Sequence, residues 1–81
     1  MTLDQLAVGR QGIITAVRGE GALRRRLLAM GFTPGAGVMI RKTAPLGDPV
    51  ELCLRGYELA IRMKDAARIE VAATIAPPRG Y

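Results

Sequence analysis

Val50-Glu51-Leu52-Cys53-Leu54-Arg55-Gly56-Tyr57-Glu58-Leu59-Ala60-Ile61-Arg62 is the stretch that decides the fold. Val50, Leu52 and Leu54 alternate with Glu51, Cys53 and Arg55, and beyond Gly56 the rhythm resumes with Tyr57, Leu59 and Ile61 against Glu58, Ala60 and Arg62. A period of two puts one apolar row on one face of an extended chain, so each run reads as a half-buried strand. Arg55-Gly56 has the length and composition of a tight hairpin turn. A lone hairpin is marginal in water, so the rest of the chain must cover its apolar face.

The segments on either side supply that cover. Upstream, Ile13-Ile14-Thr15-Ala16-Val17 is a β-branched run between the turns Val8-Gly9-Arg10-Gln11-Gly12 and Arg18-Gly19-Glu20-Gly21. Val38 and Ile40, alternating with Met39 and Arg41, predict a further strand through Ala44. Pro45-Leu46-Gly47-Asp48-Pro49 is turn chemistry, and its prolines place it in an exposed connection or at a sheet edge. Downstream, Met63-Lys64-Asp65-Ala66-Ala67 suits a helical turn, and Arg68-Ile69-Glu70-Val71 a last strand. Beyond Ala72 no alternation is left, so the chain divides into one domain over 1–73 and a tail over 74–81 that is expected to be unpacked and flexible.

One helix interrupts the strands. From about 21 to 30, Leu23, Leu27 and Met30 recur at helical spacing and form one apolar stripe. Leu28 projects away from that stripe, near Arg24, and Arg24-Arg25-Arg26 cannot enter a core unpaired. Gly31 stands where a left-handed helix stop is wanted, and Pro34-Gly35 makes continuation unfavourable. Thr2 and Gln5 have capping-box spacing and mark a short helical turn at the N-terminus. The fold class is therefore mainly β: a small barrel of about five strands, closed or nearly closed, with one inserted short helix and a helical turn near 63–67.

The 81 residues carry twelve Lys and Arg against seven Asp and Glu, a net charge of +5, and ten of the twelve cations are Arg. Arginine favours carboxylate and phosphate partners. The charges are dispersed, and one Phe, two Tyr and no Trp offer little for stacking on bases, so a small barrel binding nucleic acid is the alternative and not the leading reading. The start of the chain lacks the pattern of an export signal, the single Cys53 has no partner for an internal disulfide, and no run reaches membrane-span length; a cytoplasmic protein that is not embedded in a membrane is expected. With no His and no Ser, and without a phosphate-binding loop motif, neither nucleophilic catalysis nor nucleotide binding is expected, so the chain is not read as an enzyme. No spaced ligand set exists; Cys53 is read as a half-buried structural thiol and Met30, Met39 and Met63 as packing side chains, leaving no metal site and no cofactor.

Five blocks in order resemble the ferrous iron transport protein A (FeoA) family, which has an SH3-like barrel. They are Leu3-x-x-Leu6-x-x-Gly9, Arg26-Leu27-Leu28-x-Met30-Gly31-Phe32-x-Pro34-Gly35, Ala44 to Pro49, Arg55-Gly56-Tyr57-x-Leu59-Ala60-Ile61-Arg62, and Ala66-x-x-Ile69-x-Val71. The resemblance implies a cytosolic accessory or regulatory protein of bacterial ferrous iron uptake. It further implies binding to the intracellular part of the FeoB transporter, which carries a GTPase domain. At family level it also brings an association with transition metal ions. On that reading the docking surface takes Arg24 and Arg25 for acidic groups, Leu28 as an apolar anchor, and Leu46, Asp48 and Pro49 as a rim, while Gly31, Pro34, Gly35 and Gly56 are structural. Other readings stand beside these: Leu28 packed on the barrel's open end, the 45–49 loop serving only as a turn, Arg26 clipping a loop carbonyl or carboxylate, and weak self-association.

Overall fold

The computed structural model describes residues 1–74, and the elements follow in the order that the sequence pattern sets. A 3₁₀ turn at Leu3–Gln5 precedes β1 (Gln11–Val17), α1 (Gly21–Ala29), β2 (Gly37–Thr43), β3 (Val50–Leu54), β4 (Tyr57–Ile61), α2 (Met63–Ala66) and β5 (Ile69–Thr74). The 3₁₀ turn is closed by the Thr2 N–H, which donates to Gln5 Oε1 at 2.9 Å.

The strands of the described residues join one five-stranded antiparallel sheet in the order β4-β3-β2-β1-β5. The hairpin is in the register that the alternation demands, with Leu54 opposite Tyr57 and Val50 opposite Ile61. Its turn takes positive φ at both central positions, 51° at Arg55 and 84° at Gly56, matching the twist of the flanking strands. On β3 the inward row Val50, Leu52 and Leu54 is buried. Cys53 on the opposite row is half-buried, with Arg41 Nη1 3.9 Å from its sulfur.

The core joins those side chains to Ile14, Val38 and Ile40 from β1 and β2, Ile69 and Val71 from β5, and Leu27 from α1. Phe32, just beyond α1, is wholly buried and is its only aromatic ring among the described residues. Burial of such apolar surface, at about 25 cal/mol per Å², drives the sheet to curl around one interior.

β5 runs to Thr74, with Ile13 opposite Ala72, Gly12 opposite Ala73 and Gln11 opposite Thr74. Ala73 and Thr74, expected beyond Ala72 to be unpacked, are therefore ladder residues; Ala72 and Ala73 keep exposed side chains, so their pairing is carried by backbone bonds. The rest of the expected tail, 75–81, lies outside the described residues.

The sheet has a seam. Among the described residues β4 and β5 are not hydrogen-bonded to one another, and the chain crosses between them through α2. Beside β5, Thr2 bridges Glu70 and the Val71 N–H donates to the Met1 carbonyl at 2.8 Å, so the N-terminus covers part of that edge. Among the described residues no strand pairs with the outer edge of β4.

Candidate functional site: the seam groove

Two sets of contacts position α1. At its C-terminus, Gly31 has φ +110°, the Gly31 N–H donates to the Leu28 carbonyl at 3.0 Å, and the Phe32 N–H donates to the Leu27 carbonyl at 3.2 Å. This double bond pattern ends the helix on a left-handed glycine and turns Phe32 into the core. The hairpin tip then holds that end from above: Tyr57 Oη donates to the Met30 carbonyl at 2.5 Å, Arg55 Nε donates to the Gly31 carbonyl at 3.1 Å, and the Arg55 guanidinium also reaches Thr33 Oγ1. Carbonyls left over at the helix end are satisfied by a phenol and a guanidinium 24 to 27 residues further on.

The second set ties α1 to α2. Arg26 Nη2 donates to Asp65 Oδ2 at 3.3 Å; the Asp65 side chain is 10% exposed and that of Arg26 62%. Asp65 is the buried charged residue of the described chain, and Arg26 gives it a counter-charge. Of the partners expected for Arg26, a loop carbonyl or carboxylate, the structure gives a carboxylate, and it stands on α2 and not on a loop. α2 is fixed in turn to the 45–49 loop, where Asp48 Oδ1 accepts the Met63 N–H at 3.0 Å and so caps the first turn.

Between α1, β4 and α2 lies a groove of about 500 Å³ at the barrel seam. α1 contributes Leu23, Arg26, Leu27 and Met30, and β4 contributes Ala60 and Ile61. Around α2, Arg62, Lys64, Asp65 and Arg68 complete the wall. Leucine, isoleucine and methionine side chains give an apolar floor, and four cations stand against one carboxylate that is already paired with Arg26. Among the described residues Arg62, Lys64 and Arg68 form no ion pair. The groove therefore has surplus positive potential over an apolar base.

None of the residues predicted to dock a partner lines this groove; they stand on α1 and in the 45–49 loop, each of which is tied to α2 by one of these contacts. On α1, Arg25 is exposed and without an ion pair among the described residues, whereas Arg24 Nε donates to the Val17 carbonyl at 3.1 Å and is held against the end of β1. Leu28 is half-buried and packs on the core, as its structural reading requires. In the loop, Leu46 is 96% exposed, Pro49 is exposed after a cis peptide bond, and Asp48 is engaged in capping α2. The Gly47 N–H donates to the Ala44 carbonyl at 2.7 Å and the Ala44 N–H to the Pro49 carbonyl at 3.0 Å, closing the loop on itself. Contacts thus run from loop to α2 to α1, through Asp48–Met63 and Asp65–Arg26. Arg62, Lys64, Asp65 and Arg68 had no part in the predicted surface; the only signal for them was charge density around a short helical turn.

The groove offers binding chemistry, an apolar floor beside cations without an ion pair among the described residues. No group of three or more His, Cys, Asp or Glu side chains able to hold a metal ion occurs among the described residues. No described helix is long and apolar enough to cross a membrane.

A curled five-stranded antiparallel sheet with a helix between its first two strands defines a small SH3-like domain. Residues 1–73 match the FeoA domain family, and the chain belongs to that family. It is 42% identical over 71 residues to the Fe(2+) transport protein A/Fe(2+) transporter FeoB fusion protein of Porphyromonas gingivalis, covering 88% of this chain and 8% of the fusion. The FeoA-like protein of Clostridium acetobutylicum superposes with a TM-score of 0.87 at 30% identity, covering 94% of this chain and 88% of that one. Stenotrophomonas maltophilia FeoA, described as a procaryotic SH3 domain protein and solved with zinc, gives a TM-score of 0.78 at 28% identity over 89% of each chain. The family is associated with ferrous iron transport, and in the P. gingivalis protein a FeoA segment and a FeoB transporter share one polypeptide.

Proposed function

We propose that this chain is a cytoplasmic, non-enzymatic accessory protein of ferrous iron uptake. It docks on the intracellular part of a FeoB-type transporter, either the GTPase-bearing region or the cytosolic surface of the membrane domain. The observation that carries this reading is the fusion relative: covalent linkage in one organism is what a stable functional association between separate chains elsewhere would produce. The docking face is built from α1, the seam groove and the 45–49 loop. Arg25 and the groove cations supply charge complementarity, which sets encounter rate and orientation. Leu46, nearly fully exposed at the loop tip, supplies an apolar anchor whose burial would contribute about 1.5–3 kcal/mol. Neither a cofactor nor a metal is needed for this role.

The test is an equilibrium binding measurement between this chain and the transporter's isolated cytosolic region, with parallel Arg25→Glu and Leu46→Asp variants. Both substitutions lie on exposed side chains and should leave the circular dichroism spectrum and melting unchanged. Weakened association in both supports the assignment. Association unchanged in both places docking elsewhere on the barrel.

A further inference from the structure

We propose that the seam groove receives an extended acidic segment of the partner, which adds as a strand along β4 and sets its carboxylates against Arg62, Lys64 and Arg68. This deepens the docking reading above and rests on it for the choice of face. Two independent observations meet at Ala60.

The first is backbone geometry. In a two-residue hairpin closed by Leu54 and Tyr57, ladder pairs alternate between bonded and non-bonded, so the Val50–Ile61, Leu52–Leu59 and Leu54–Tyr57 pairs exchange hydrogen bonds. Glu58 and Ala60 then direct their N–H and C=O groups away from β3, along an edge with no neighbouring strand among the described residues. An exposed row of this kind is a template for another extended chain. Ala60 lines the groove, is exposed and carries a side chain too small to block an approaching backbone. The edge stops there as a template, because the Arg62 carbonyl is already taken by the Asp65 and Ala66 N–H groups at 2.9 and 3.0 Å. The incoming strand is thereby limited to a short segment.

The second is charge. The wall beside Ala60 carries Arg62, Lys64 and Arg68 unpaired among the described residues, and its one carboxylate, Asp65, is consumed by Arg26. A second copy of this chain pairing through β4 would offer these cations only Glu58, which Arg41 already holds at 3.1 Å. An acidic segment is attracted, and its alternate apolar side chains would face Leu23 and Met30 on the groove floor.

A short capped peptide of alternating glutamate and leucine is the probe, titrated into the ¹⁵N-labelled chain beside its lysine–leucine counterpart and a single-stranded oligonucleotide. The acidic peptide should shift the amides from Leu59 to Arg68 and slow hydrogen exchange at Ala60, and the lysine peptide should not. Ala60→Pro removes the outward donor without touching the β3–β4 ladder, a position where an edge strand tolerates proline, and should weaken peptide binding by about tenfold. Arg62→Glu with Lys64→Glu should do the same, and keeps the test decisive if the proline variant folds poorly. Peptide binding that survives both changes, or an oligonucleotide that binds while the acidic peptide does not, overturns the proposal. Should the transporter's cytosolic region still bind when the peptide does not, the docking function stands and the groove assignment falls.

Discussion

Removing Arg26 should cost this protein more stability than neutralising the carboxylate it touches, although the two belong to one ion pair. The reason is the unequal burial of the partners: the Asp65 side chain is 10% exposed and that of Arg26 62%, at a separation of 3.3 Å. Arg26→Met keeps much of the aliphatic stem but leaves a carboxylate without its counter-charge in a mostly dry site. Breaking a fully buried pair in this way costs about 3–5 kcal/mol, and a fully exposed pair contributes only about 0–1 kcal/mol. With water reaching the Arg26 side, about 1–2 kcal/mol is expected for Arg26→Met. Asp65→Asn leaves the stranded charge on the arginine, which solvent already covers, and an amide still able to accept one hydrogen bond; about 0.5–1 kcal/mol is expected. Urea unfolding followed by far-ultraviolet circular dichroism measures both, and the double variant completes the cycle. Equal costs, or a larger cost for Asp65→Asn, would refute the claim that Asp65 is the buried partner that Arg26 serves.

Other consequences follow from the same contacts. Phe32→Ala should cost about 3–5 kcal/mol, because the ring is wholly buried, and calorimetry should show a domain close to its stability limit. Gly31→Ala forces a side chain into φ +110° and sets its Cβ 3.2 Å from Arg55 Cδ, so the melting midpoint should fall by several degrees. Asp48→Ala removes the acceptor of the Met63 N–H, and a loss of about 0.5–2 kcal/mol, with faster hydrogen exchange at Met63, would register the lost cap.

The hairpin was legible because Val50, Leu52, Leu54, Tyr57, Leu59 and Ile61 keep one row apolar at a period of two, although Tyr57 is 50% exposed, and the helix because Leu23, Leu27 and Met30 repeat at its period before a glycine that can end it. Even there the reading was incomplete, for Leu27 is fully buried while Leu23 and Met30 are only half-buried on the groove. The end of β5 was illegible because Ala72 and Ala73 are exposed and pair through backbone alone, leaving no hydrophobic alternation to read. Phe32 gave no periodic signal either, since it follows the helix stop and is aimed inward by the turn itself. The groove could not be assembled from one stretch of sequence: Leu23 and Arg26 meet Ala60, Lys64 and Asp65 only once α1 is folded back across the seam. Its cations read one at a time as solvated surface. Of the predicted docking residues, Arg25 and Leu46 are exposed without a partner among the described residues, whereas Arg24, Leu28 and Asp48 have structural partners that only tertiary contact could reveal.

Docking on the transporter through the seam face is the central claim, and an amide NMR titration of this chain with the transporter's cytosolic region, with and without a GTP analogue, tests it most directly. Shifts gathered on Arg25 to Met30, Leu46 and Ala60 to Arg68 are the predicted result. Association with shifts confined to the β1–β5 face, leaving those residues unmoved, would contradict it.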